Sequence, residues 1–263
     1  MFAPYLLDGW LAATLVALAA GCAGFFVVAR RETFAAHALP MAAFPGAAAA
    51  SLLGVAQVYG LIVAAGFGTM LLLWLKRRQR NDTATALALV SLLGLGALFL
   101  SLSGRYAAAV YALLFGQVFG LGPGDVLPAM VLAVLVPLVL LGAFRPLLLS
   151  ALSPELASRG GMHGTVSNAV FLLVLALTSA FALPVTGALL VFSLMTGPAA
   201  AACLLARAPG TAMALSVGLA LALIWAALAL SYLTGWPAGF FTGVLAAVLY
   251  LLARMWRRAR QAR

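Results

Sequence analysis

Apolar runs of about 17 to 25 residues, the length an α-helix needs to cross roughly 30 Å of hydrocarbon, follow one another along the whole chain with short polar breaks between them. They predict spans at Trp10–Val28, Phe34–Gln57, Tyr59–Leu75, Thr83–Leu102, Val126–Phe144, Val166–Leu183, Gly187–Leu205, Met213–Leu233 and Phe240–Ala253. A β-barrel would show shorter, alternating segments instead. The pattern therefore predicts an all-α, polytopic membrane helical bundle of about nine transmembrane helices, with eight as the alternative. Residues 106–124, with the Gly-rich "LLFGQVFGLGPGD", read as a re-entrant or surface hairpin that starts and finishes on one side.

Composition agrees: 66% of residues are hydrophobic and 8% charged, far from the soluble norm of about half and a quarter. The first run follows Asp8, has no basic stretch before it and is followed by Arg30 and Arg31, so it reads as a retained span, not a cleaved signal. Cys22 and Cys203 both fall inside spans and read as small buried apolar residues, not a disulfide.

A net charge of +10 would suggest nucleic acid in a soluble domain. Here its distribution points to the membrane. Nine spans place fourteen of the fifteen basic residues on one side, leaving Arg105 alone opposite. This is the positive-inside arrangement, and it predicts an outside N-terminus and a cytoplasmic C-terminus. The tail "RMWRRARQAR" then meets the cytoplasmic leaflet, where Trp256 and its arginines suit anionic headgroups.

The five acids, Asp8, Glu32, Asp82, Asp125 and Glu155, all fall near span ends or in loops. Gradient-driven transporters usually carry their relay carboxylates within spans, so a secondary transporter is disfavoured. The chain has no G-x-x-x-x-G-K-[ST] phosphate loop, so an uphill step would need a partner to supply ATP. No nucleophile–base pair or H-E-x-x-H helix suggests an enzyme. The long connection "RPLLLSALSPELASRGGMHGTV" places Ser153 at an N-cap, Pro154 at the first helical position, Glu155 in the first turn and Gly160/Gly161 at a stop. A helix this short needs something to pack against, which predicts a docking element, with a plain surface turn as the alternative. His163 beside it reads as a solvated loop residue.

These segments resemble the permease subunit of the zinc/manganese/iron-type ABC transporters, from about Gly9 to Leu252. "SPELASRGGM" is similar to the family's coupling segment through Pro154, Glu155, Ala157 and Gly161. "VTGALLVFSLMTGPAAAACLLAR" is similar to a family span through Gly187 to Val191 and Pro198 to Ala200. "LSYLTGWPAGFFTGVLAAVLYLL" resembles the final hairpin through Pro237 and Gly239, and Asp82-Thr83 resembles the pair that opens a middle span. The resemblance implies one permease domain over residues 1–255, a coupling segment at 150–164 and a basic tail at 256–263. It implies a bacterial inner-membrane homodimer, two cytosolic ATP-binding subunits that hold the ATP, and an extracytoplasmic metal-binding protein. The chain itself would bind no cofactor and no nucleic acid. Its cargo would be divalent metal, zinc first, with manganese or another metal possible.

The stretch "ETFAAHALPMAAFPGAAAA" departs from the family. Aligned on Pro45-Gly46, His37 stands at the family's aspartate and Met41 at its histidine. The two are four residues apart, on one helix face unless Pro40 opens the turn. Imidazole and thioether form a softer set than carboxylate and imidazole, tolerant of Zn(II) or Cu(I) and poorly suited to manganese. The competing reading packs both residues between helices, His37 bonding a carbonyl freed by Pro40. Pro40, Pro45 and Gly46 predict a broken, pathway-lining second span. Two other functions stay open: a permease for a metal chelate or vitamin-type cargo, and a non-transporting membrane scaffold.

Overall fold

The computed structural model describes residues 4–77, 82–102, 113–116, 118, 123–152, 164–188 and 190–261. Ten helices organise them: α1 Pro4–Ala29, α2 Thr33–Leu53, α3 Gln57–Arg77, α4 Asp82–Leu102, α5 Pro123–Gly142, α6 Phe144–Leu152, α7 Gly164–Thr186, α8 Val191–Leu205, α9 Pro209–Thr234 and α10 Ala238–Gln261. Apolar side chains on all sides of most of these helices leave the backbone to satisfy itself internally, which is what lipid requires.

The core forms around α1, the most buried of the spanning helices, with α10 the least. α1 packs on α5, α7, α8 and α9, while α2, α3 and α4 form a second group joined to the first through α7. Small residues set these crossings. A Cβ on Gly21 would lie 2.7 Å from Val217 Cα, and one on Gly197 would lie 2.6 Å from Ala246 Cβ. Only glycine admits such backbone approach. Polar cross-links add to it: Ser216 Oγ donates to the Gly21 carbonyl at 2.8 Å, and Trp225 Nε1 to Thr14 Oγ1 at 3.0 Å.

Every expected span contains a helix, but the count of nine is not reached. Among the described residues six helices are long and apolar enough to cross a membrane, or seven if the bent pair α5–α6 is one span. Two shorter apolar stretches are Leu89–Leu102, the later part of α4, and Val191–Leu205. Two causes account for much of the difference. Gly187 takes φ +81, a left-handed turn favoured by glycine, so the run expected to begin there becomes helical only at Val191. The fifth run does not end in a loop at Arg145 either: the chain bends by 65° around Ala143 and continues as α6. Leu147 is buried there, so α6 is held by its apolar face.

The second span was expected to break at its prolines, and it does not. α2 is one continuous helix with Pro40 and Pro45 inside it, both buried. Proline has no N–H and deprives the Ala36 and Met41 carbonyls of their usual helical donors. Packing on α3, α4 and α7 holds the helix together despite that. It ends at Gly54, φ 68, where Val55 N–H donates to the Ala50 carbonyl at 3.0 Å.

Contacts sort the helix ends into two sets. Gly9 meets Val118, Gly187 meets the backbone of Leu114 and Phe115, and a Cβ on Gly239 would lie 2.6 Å from the Phe115 carbonyl oxygen. The Ala188 N–H donates to the Leu113 carbonyl at 2.9 Å. The start of α1, the end of α7 and the starts of α8 and α10 therefore share one end of the bundle with residues 113–116 and 118. The end of α1, the end of α6 and the start of α7 share the other, through Arg30.

Candidate functional site

The unbroken course of α2 puts His37 and Met41 one turn apart on a single face. His37 lies one turn inside the helix and is exposed; its ring meets Phe192 of α8 edge-on, with centroids 5.5 Å apart and planes at 83°. Met41 is half-buried. The pair thus sits where α2 and α8 come together, with an aromatic edge against the imidazole. Among the described residues no three His, Cys, Asp or Glu side chains gather to hold a metal ion. Two soft ligands at one helix face can touch a passing ion; holding one usually takes four.

Two of the neighbours suggested with this pair lie at helix contacts. A Cβ on Gly46 would run into the Gly60 carbonyl and Ala64 of α3, and Gly96 of α4 lies against Phe44 and Pro45. Pro45 and Gly46 therefore lie in the seam by which α2 is held between α3 and α4, while Pro40 is buried within the helix.

The residues singled out near the other end do meet. Gly187 and Gly239 converge on 113–116, joined by Gly116, whose φ is also +81. Pro198 is buried within α8. Pro237 is exposed just before α10, and its carbonyl accepts the Phe240 N–H at 3.1 Å. Asp82 is the first residue of α4. Ser153, Pro154, Glu155, Ala157 and Gly161, the expected coupling residues, lie outside the described residues, as does His163.

Their two flanks are described, and they carry a cluster that the sequence does not announce. Arg30, one residue past α1, donates to Ser150 Oγ at the end of α6, to the Leu147 carbonyl at 3.4 Å, and to Asn168 Oδ1 at 3.3 Å and Ser167 Oγ at 3.5 Å at the start of α7. Its guanidinium stands 4.8 Å from the centre of the Phe171 ring. Ser150 and Ser167 are themselves 3.3 Å apart. Burial pushes the Arg30 pKa down and the nearby Glu32 carboxylate pushes it back up. The sequence shows Arg30 only as a basic residue at a span end, the same signal as the exposed Arg31 beside it.

Residues 3–257 match the family described as the ABC 3 transport family. The chain is 28% identical over 217 residues to the manganese import system permease protein ScaB of Streptococcus parasanguinis, covering 82% of this chain and 77% of that one. It is 28% identical over 200 residues to the high-affinity zinc uptake system membrane protein ZnuB of Buchnera aphidicola subsp. Acyrthosiphon pisum, covering 75% and 76%. Among solved structures, PsaBC from Streptococcus pneumoniae in complex with Fab shares the fold, with a TM-score of 0.87 at 23% identity over 95% of this chain and 91% of that one. An inward-facing transporter reported as of metal-chelate type gives 0.64 at 17% identity, covering 95% and 85%.

Proposed function

Because the chain belongs to the ABC 3 transport family, we propose that it is the permease subunit of an ATP-driven bacterial importer of divalent transition metal, working by alternating access. The observation that carries the reading is the family match across residues 3–257. The relatives named for manganese and zinc import support the cargo class. In this reading two copies pair in the inner membrane, two cytosolic ATP-binding subunits grip the segment between α6 and α7, and an extracytoplasmic binding protein delivers metal. ATP is bound and hydrolysed on the motor subunits, and this chain is not itself an enzyme.

The orientation proposed is N-terminus outside and C-terminus cytoplasmic. It is supported by the one-sided basic residues, and by helix ends sorted as that topology requires. Zinc is the cargo best suited to His37 and Met41. Manganese competes with it, being the more frequent name among the relatives. A second reading, a metal-chelate permease, draws support from the lack of a carboxylate at position 37.

The test is elemental analysis of zinc, manganese, iron and copper in metal-starved cells lacking this protein, complemented with wild type or with the His37→Ala/Met41→Ala variant. Zinc restored by wild type and not by the variant is expected. Restoration of manganese alone would replace zinc as cargo, and a fully active variant would return His37 and Met41 to packing. Unchanged levels of all four metals would overturn the metal importer.

A further inference from the structure

The guanidinium of Arg30 joins three chain segments that are far apart in sequence: the α1–α2 corner, the end of α6 and the start of α7. We infer that Arg30 is a positioning residue, fixing the spacing between the two chain ends, at Ser150 and Ser167/Asn168, from which the segment connecting α6 to α7 departs, and tying both ends to the corner that leads into α2. The inference rests on the reading that this segment receives the push of an ATP-binding partner.

Two independent features support it. Arg30 reaches across with donors to acceptors on both flanks, and Phe171 of α7 lies against its face at 4.8 Å. A planar, five-donor fork can bridge several acceptors in this way, where a lysine offers only a point charge. In addition, the corner itself is conformationally specified. Arg31 is the one non-glycine residue with positive φ among the described residues, at 57. The Glu32 N–H donates to the Val27 carbonyl at 2.9 Å and the Arg31 N–H to the Val28 carbonyl at 3.2 Å, closing α1 in a Schellman turn. That turn usually takes glycine, and a side chain held there persists only where its surroundings over-determine it. The bonds of the preceding Arg30 provide such surroundings. A displacement of either flank is thereby delivered to α2, which carries His37 and Met41.

The experiment uses the full chain, wild type, Arg30→Gln and Arg30→Lys. Hydrogen–deuterium exchange of the protein in lipid nanodiscs is expected to rise by about tenfold at residues 147–151 and 164–170 in Arg30→Gln, with little change in α9. Unchanged exchange at those flanks overturns the inference whatever the protein transports. The same variants, assembled with the ATP-binding subunits in liposomes, give the metal moved per ATP hydrolysed. That ratio is expected to fall roughly threefold to tenfold in Arg30→Gln, with Arg30→Lys between it and wild type. A merely structural role would lower uptake and hydrolysis together and leave the ratio alone, which would also overturn the inference. Absence of ATP-driven metal uptake by wild type would refute the importer reading, and the exchange result would still decide whether Arg30 fixes the two flanks.

Discussion

Gly24 and Gly66 show how far a residue's meaning depends on what stands opposite it. A Cβ on Gly24 would strike the Met195 carbonyl of α8, whereas one on Gly66 would meet nothing within 4 Å. Gly24→Val should therefore lower stability by about 1–3 kcal/mol, read as a lower thermal midpoint in detergent. Gly66→Val should leave that midpoint nearly unchanged. The sequence marks both glycines equally, and its apolar context announces close packing without saying which neighbour is close. His37 and Met41 were legible as a pair because i and i+4 fix a helix face, while the Phe192 edge against His37 was not, because it comes from α8. Arg30 was hidden for the same reason: its partners lie more than a hundred residues away.

Hydropathy found every helix but α6, and missed where some of them stop. Gly187 and Gly235 both have positive φ, +81 and +73, but only Gly187 is pressed against another backbone. Gly235→Ala should cost the left-handed conformation alone, about 1–2 kcal/mol. Gly187→Ala should cost more, because the new methyl also runs into Leu114. Unfolding in denaturant of the two variants would read the difference, and equal losses would remove the packing role given to the 113–116 contact. A turn made of Gly, Ala and Leu is as apolar as a span, so hydropathy extended the seventh span through it. The bend between α5 and α6 was likewise invisible, since Leu147 continues the apolar pattern of α5 after the chain has changed direction. Pro40 and Pro45 misled in the opposite sense: proline weakens a helix locally, but α3 and α4 embrace α2 tightly enough to keep it whole.

At the scale of the molecule, the arginines and the packing carry separate kinds of information. Basic residues assign a side to the breaks that carry them, and contacts such as Gly9 with Val118 and Arg30 with Asn168 say which ends lie together. The two agree, so the proposed topology has a direct consequence. With Cys22 and Cys203 replaced by alanine, a cysteine at Trp236 should react with an impermeant maleimide in intact spheroplasts. One at Gln261 should react only after the membrane is opened. The reverse pattern would invert the proposed orientation. The all-helical class was legible because lipid leaves few backbone solutions; the grouping of α2 with α3 and α4 was not, because most spans look alike from outside.

The exposed face of α10 sets a further condition. Its apolar stretch, Ala238 to Ala253, covers about 24 Å at 1.5 Å per residue, short of the roughly 30 Å of an average hydrocarbon core. Trp236 precedes it, Trp256 and four exposed arginines follow, and Val244, Val248, Leu251 and Leu252 between them face outward. This flank is thus mismatched to a bilayer of ordinary thickness, and the lipid must thin around it or the arginines must reach back out to the headgroups. Acyl-chain length becomes a control on the protein, with longer chains straining the α10 side first.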